Sequence, residues 1–180
     1  RTELDTEAGS IMTSASTRVY FDYTPHMTEH SAANEIPFVQ SAVPKAKLVV
    51  GLIGDHDART IDAVAGALGE LAKTKRILVV ASTDLLHMDD YDMVKATDKV
   101  TLEHIRKLDP EWLASNWSGD RQICCGIMTV LSAVKFASSQ GCKEGVLLDY
   151  RNTGDIIPSS RGGYCVGYGA VVFPVADGGK

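Results

Sequence analysis

The chain has 180 residues, of which 44% are hydrophobic, and its formal net charge is −5. This length and composition suit one domain with a buried core. The acidic balance and the short apolar runs argue against nucleic-acid binding, membrane binding and membrane spanning. We therefore expect a cytoplasmic protein.

The first half of the sequence predicts a strand–helix–strand unit. A helix is predicted to begin near Ser31, after a less regular start. Residues 47–54 and 76–83 are apolar runs typical of strands that are covered on both faces. Residues 57–74 between them have helical spacing of apolar side chains. This order predicts parallel strands joined by a right-handed crossover.

The second half predicts three helices and then two strands. Residues 91–108 and 122–141 have helical patterns, and a short helix is predicted to begin at Pro110. Residues 143–152 and 162–175 read as strands joined by a short polar loop, so this pair should be antiparallel. The predicted class is α/β, with a mixed, mostly parallel sheet flanked by helices and an antiparallel C-terminal strand pair.

Polar residues follow the first three predicted strands, in segments 54–57, 82–87 and 152–155. Sites in open α/β sheets form beyond the carboxyl ends of parallel strands. The topology therefore predicts that these segments meet at one rim, with residues 28–31 joining from the loop before the first helix.

His87 is the candidate general acid/base at this rim, because imidazole exchanges protons near neutral pH. Asp84, three positions earlier, can orient His87 or bind a metal. The alternative is that Asp84 caps a turn and His87 is a partly buried polar residue.

His30 is a second catalytic candidate, since a neighbouring carboxylate such as Glu29 can fix the tautomer of an imidazole. In the alternative interpretation Ser31 caps a helix and Glu29 favours the helix dipole. Cys125 opens a helix, which favours a reactive thiolate, although a small buried cysteine is the alternative.

The four cysteines show no CxxC spacing, so we expect free thiols rather than a disulfide framework. The sequence contains no GxSxG, P-loop, GxGxxG after a strand, or HExxH motif. Serine-hydrolase, nucleotide-binding and zincin functions therefore have no support.

Four segments together resemble the Memo family, and the resemblance runs from about residue 2 to residue 174. They are "EHSAANEIPF", "ASTDLLH", "ICCGIMTVL" and "YRNTGDIIPSSRGGYCVGYGAVVF", in the family's order and spacing. The family includes AmmeMemoRadiSam system protein B and the mediator of ErbB2-driven cell motility.

The resemblance implies one domain over residues 1–180 with a fold similar to the class III extradiol dioxygenases. It also implies a strand-end pocket for a redox metal, iron or copper, or for a small ligand. His87, Asp84 and His30 would be the catalytic residues of a metal-dependent oxidoreductase. Glu29, Ser31, Cys125 and Asp155 would contact the ligand.

Departures from the family leave other functions open. Family members carry two metal-site histidines in an N-terminal region that this sequence lacks, so the metal ligands here are unknown. The eukaryotic branch has a cysteine in its C-terminal loop, where this sequence reads Gly154-Asp155-Ile156, so Asp155 is the nearest polar substitute. The alternatives to an oxidoreductase are a non-catalytic adaptor that binds a peptide or small molecule, and a truncated remnant without activity.

Overall fold

The computed structural model describes residues 2–174, which divide into two compact units. The first unit runs from Arg1 to Ser82 and the second from Thr83 to Lys180. Val175, the last residue of the predicted strand 162–175, lies outside the described residues. The interpretation of residues 1–180 as one domain stays a prediction.

The first unit is helical. It contains α1 (Thr6–Ala15), a 3₁₀ turn, α2 (Ser31–Ala42) and α3 (Ala58–Ala72). Asp5 caps α1 by accepting a hydrogen bond from the Ala8 amide at 2.9 Å. The helix predicted to begin near Ser31 and the helix predicted at 57–74 are both confirmed.

The predicted strands at 47–54 and 76–83 are wrong for the described residues. Neither segment forms a ladder with a neighbour, and Leu48 makes only an isolated parallel bridge to Leu4. Leu78 is 77% exposed, so the second segment is not covered on both faces. An apolar run reports a tendency toward burial, whereas a strand also needs a hydrogen-bonding partner.

In its described part, the second unit holds four α-helices and a 3₁₀ helix, Pro158–Gly162. The α-helices are α4 (Tyr91–Arg106), α5 (Pro110–Ser115), α6 (Ile127–Ser139) and the single turn α7 (Thr153–Ile156). The helix predicted at 122–141 therefore begins five residues later than expected. It ends before Gly141, whose φ of +86° lies in the left-handed region that glycine tolerates.

The second unit also holds a three-stranded antiparallel sheet with the order β1-β3-β2. These strands are β1 (His87–Met88), β2 (Val146–Asn152) and β3 (Cys165–Val172). The predicted antiparallel C-terminal pair is confirmed as β2 and β3. The predicted α/β class is confirmed, but the sheet in the described part of the chain is antiparallel rather than mostly parallel.

Helix α4 packs on one face of this sheet. A Cβ on Gly167 would meet Asp98 of α4, and a Cβ on Gly169 would meet Leu102 of α4. The glycines of β3 therefore allow the helix to approach closely. The core of the unit is built from apolar side chains of the helices and their connections: Val94, Leu102, Ile105, Leu113, Ile123, Ile127, Val130, Leu131 and Val134. Among residues 2–174 no helix is long and apolar enough to cross a membrane.

Candidate functional site

The segment 83–87 is held against the middle strand of the sheet. The Leu85 amide donates to the Gly167 carbonyl at 3.0 Å, and the Gly167 amide donates to the Leu86 carbonyl at 3.0 Å. His87 then pairs with Val166 in the β1–β3 ladder. The backbone on both sides of His87 is therefore fixed by β3.

A second set of hydrogen bonds joins this segment to the start of α6. The Asp84 amide donates to Cys125 Sγ at 3.3 Å, and the Cys125 amide donates to the Asp84 carbonyl at 3.2 Å. Thr83 Oγ1 accepts from the Gly126 amide at 2.8 Å and lies 3.5 Å from Cys125 Sγ. Cys125 is exposed, so its thiol is accessible while it accepts this amide bond.

His87 lies on the sheet face that α4 leaves uncovered. Side chains alternate along a strand, so Val166 and Tyr168 point away from the side on which Gly167 and Gly169 meet α4. His87 is opposite Val166 and shares its face. The imidazole is half-buried, and its centroid lies 6.0 Å from the Tyr164 ring.

Asp84 is electrostatically close to this face. The pKa of Tyr168 is raised, first by burial and second by the negative charge of Asp84. An imidazole, two phenols and a carboxylate are thus gathered in one unit. Such groups can exchange protons with a small molecule and accept or donate hydrogen bonds to its polar atoms.

Asp155 lies near the same part of β3. Asn152, which precedes its turn, pairs with Gly167, the residue that also binds segment 85–86. Tyr91 donates to Asp155 Oδ1 at 2.6 Å, and this bond is the main cause that lowers the pKa of Asp155. Its Oδ2 accepts from the Asn152 amide, so both oxygens already have protein partners.

His30, Glu29 and Ser31 belong to the first unit. Glu29 Oε1 accepts hydrogen bonds from the His30 amide at 2.8 Å and the Ser31 amide at 2.7 Å. The Ser31 bonds are the first causes that lower the pKa of Glu29. His30 occupies the N-cap position of α2 and its side chain makes no capping hydrogen bond, so the interpretation of Ser31 as the cap is wrong. Since His30 and His87 belong to different units, their predicted proximity stays a prediction.

The sequence reasoning missed Asp98, Tyr150 and Asn152. Asp98 is fully buried, and a signal for it exists in the sequence. Val94, Asp98 and Leu102 follow one another at four-residue spacing, so an acidic residue interrupts the apolar stripe of α4. A carboxylate at such a position needs hydrogen-bond partners in the core.

Within residues 2–174, no group of three or more His, Cys, Asp or Glu side chains is arranged to hold a metal ion. The described residues therefore do not by themselves fit the redox-metal centre that the sequence resemblance implies. Iron and copper sites in proteins are built from several such donors.

An open groove of about 590 Å³ lies along α1 and α3 in the first unit. It contains none of the predicted site residues, and its lining is Glu7, Ser10, Ile11, Ser14, Ala15 and Glu70. The chemistry-bearing side chains lie elsewhere, so this groove is not the candidate site.

Comparisons with known proteins give one consistent relationship. A family model described as "Memo-like protein" matches residues 1–172. The chain is 28% identical over 172 residues to a MEMO1 family protein of Nitrosopumilus maritimus, covering 95% of this chain and 62% of that protein. It is 30% identical over 172 residues to a MEMO1 family protein of Aeropyrum pernix, covering 94% and 60%.

A third relative is the MEMO1 family protein of Methanopyrus kandleri, with 28% identity over 174 residues, 95% of this chain and 61% of that protein. The chain thus spans about three fifths of the length of these curated relatives. No solved structure gives a significant match.

Proposed function

The chain belongs to the Memo-like protein family, and from that premise we propose that it forms a site for a small organic molecule in which His87 is the general acid/base. The observation that supports this is the sheet face shared by His87 and Tyr168, with the Tyr164 ring centroid 6.0 Å from the imidazole and the charge of Asp84 acting on Tyr168. A ligand with an ionisable hydroxyl group suits such a face.

The role of each group follows from its placement. The neutral imidazole of His87 accepts the proton of a bound hydroxyl group and returns it after reaction. Tyr164 and Tyr168 supply aromatic surface and phenolic hydrogen bonds. Asp84 supplies a negative charge near Tyr168, and its backbone amide donates a hydrogen bond to Cys125 Sγ.

The metal-dependent oxidoreductase is the finer form of this proposal, with a dioxygenase-like fold and iron or copper as cofactor. The described residues offer no cluster of donors for that ion. Redox activity with such an ion therefore stays a proposal, and the curated relatives are longer than this chain. The free cysteines support a reducing, cytoplasmic compartment.

The proposal is tested with 4-nitrocatechol, whose visible absorption changes when a hydroxyl group ionises. Wild-type protein is titrated with this probe alone and with added Fe(II) or Cu(II). We expect a saturable spectral shift that His87→Ala abolishes, and any turnover should fall by about 10²–10⁴-fold. His26→Ala, which changes an exposed histidine of the first unit, is the matched control.

The proposal fails if folded wild-type protein gives no spectral shift under any of these conditions. It also fails if His87→Ala binds and ionises the probe as the wild type does. Absence of any spectral shift would favour a remnant without activity or a peptide-binding adaptor.

A peptide-binding adaptor is the second candidate, and the open edge of β2 favours it. In the described sheet β2 pairs only with β3, and Val146, Leu147 and Leu148 are exposed on it. Extended peptides bind such edges by adding a strand. Leu148→Lys should abolish the capture of peptides from a library and leave 4-nitrocatechol binding unchanged. Unchanged peptide capture together with lost 4-nitrocatechol binding would exclude the adaptor.

A further inference from the structure

A carboxyl group is buried under the sheet where segment 83–87 pairs with β3. Asp98 of α4 is 0% exposed. Its Oδ1 accepts a hydrogen bond from the Leu86 amide at 3.0 Å, and its Oδ2 accepts from the Tyr150 hydroxyl at 2.9 Å. Each carboxyl oxygen therefore accepts one hydrogen bond.

The Leu86 amide is the group that the sheet does not satisfy. In this stretch Gly167 accepts from Leu85 and donates to the Leu86 carbonyl, so β3 binds the groups on either side of this amide. A buried amide without an acceptor costs about 1–3 kcal/mol. Asp98 supplies the acceptor and so fixes the Leu85–Leu86 peptide plane, while Gly167 binds the carbonyl of the next plane, which joins Leu86 to His87.

We propose that Asp98 is a positioning residue for His87: it ties the Leu86 amide to α4, while Tyr150 holds the carboxyl group in place. The inference deepens the proposed function, because the aim of the His87 side chain at a ligand rests on that function. The hydrogen bond between Asp98 and the Leu86 amide can be tested without any ligand.

The local electrostatics show why a purely space-filling role is a poor account of Asp98. Burial raises its pKa to about 6, while the Leu86 amide and the Tyr150 hydroxyl act in the opposite direction. A buried carboxylate is costly, and an apolar residue of similar volume would avoid that cost. The carboxyl group instead accepts hydrogen bonds from two donors, the Leu86 amide next to His87 and the Tyr150 hydroxyl.

The other groups around Asp98 stay neutral across the range in which it titrates. Tyr150 on β2 has a raised pKa, caused first by burial and then by its bond to Asp98. Burial raises the pKa of Cys124, in the connection before α6, to about 12. Asn152 is also fully buried and its Nδ2 has no hydrogen-bond partner within residues 2–174, but an amide does not titrate. Asp98 is therefore the group in this buried cluster whose charge changes between pH 4 and 8.

Nuclear magnetic resonance of ¹⁵N-labelled protein tests the inference. The Leu86 amide proton should move upfield as pH falls from 8 to 4, because a carboxylate is a stronger acceptor than a carboxylic acid. In Asp98→Asn this movement should disappear and the His87 ring signals should shift. Asp92→Asn, an exposed change on the same helix, should leave both unchanged.

His87→Gln separates the two titrating side chains. The Leu86 amide should still move with pH in this variant, since the imidazole is gone and Asp98 is present. Asp98→Asn keeps an acceptor oxygen and the side-chain volume, so it remains informative if Asp98→Ala fails to fold. With 4-nitrocatechol, Asp98→Asn should weaken His87-dependent ionisation by up to about 10²-fold.

The inference is overturned if the Leu86 amide does not respond to pH, or if its response survives in Asp98→Asn. It is also overturned if the His87 signals of folded Asp98→Asn match those of the wild type. If wild-type protein does not bind 4-nitrocatechol but the pH response of the Leu86 amide depends on Asp98, the proposed ligand site is wrong. The contact between Asp98 and the Leu86 amide is then still confirmed.

Discussion

A Cβ atom at Gly167 would lie 1.7 Å from Oδ2 of Asp98. Real Cβ atoms do not approach an oxygen this closely, so the glycine in β3 and the aspartate in α4 depend on each other. The same oxygen accepts a hydrogen bond from the Tyr150 hydroxyl, and the other oxygen accepts one from the Leu86 amide. The absence of a side chain at residue 167 thus lets α4 bind the segment that carries His87.

Gly167→Ala should destabilise the protein by about 2 kcal/mol or more, because it overpacks the core and displaces a hydrogen-bonded carboxyl group. Urea unfolding measures this change. Gly162→Ala is the control, since its Cβ would meet nothing within 4 Å and the residue is exposed. Equal stability of the two variants would contradict the close approach.

Stability should depend on pH through Asp98. Its pKa is raised from 3.8 to about 6 by burial, so the folded protein holds this proton more tightly than the unfolded chain does. The resulting contribution is fully present below pH 3.8, falls as pH rises toward 6, and is absent above that. Through this group, the free energy of unfolding should be about 3 kcal/mol larger below pH 3.8 than well above pH 6.

The measurement compares the free energy of unfolding of wild type and Asp98→Asn from pH 4 to 8. Half-buried carboxylates such as Glu103, whose pKa is lowered to about 2 by Arg106, change stability in the opposite direction in both proteins. Subtraction of the two curves removes that background. A wild-type advantage that grows with pH would have the wrong sign for this prediction.

Thiol reactivity should single out Cys125. It is exposed, whereas Cys124, Cys142 and Cys165 are buried. Native protein should react rapidly with Ellman's reagent at one thiol, and Cys125→Ser should remove that reaction. After denaturation without reductant all four thiols should react. A shortfall of two would indicate a disulfide, and fast reaction of a second native thiol would contradict the burial.

Gly66→Ala should stabilise the protein by about 0.5–1 kcal/mol. Gly66 lies inside α3 and is exposed, and a Cβ added there would meet nothing within 4 Å. Alanine reduces the conformational entropy that the chain loses on forming the helix. Gly141→Ala is the opposite case, because its φ of +86° strains any side chain, and it should cost stability. Thermal unfolding of both variants tests the pair.

The helices could be predicted because their hydrogen bonds are local. Residues 57–74 and 91–108 carry apolar side chains at helical spacing, and α3 and α4 form within those bounds. The β2–β3 pair was also predictable, since a short polar loop permits only an antiparallel partner. The polar character of segment 82–87 and the family motifs could also be identified from the sequence.

Only the tertiary structure decided which segments pair and which polar groups meet. The apolar runs at 47–54 and 76–83 lack a ladder in the described residues, and β1 forms instead at His87–Met88. Strand pairing depends on partners far away in sequence, which composition and periodicity do not encode. Asp98 shows the same limit, because its partners Leu86 and Tyr150 lie 12 and 52 residues away. The sequence determined the helices and the candidate residues; the fold decided that the carboxyl group beside His87's backbone comes from α4.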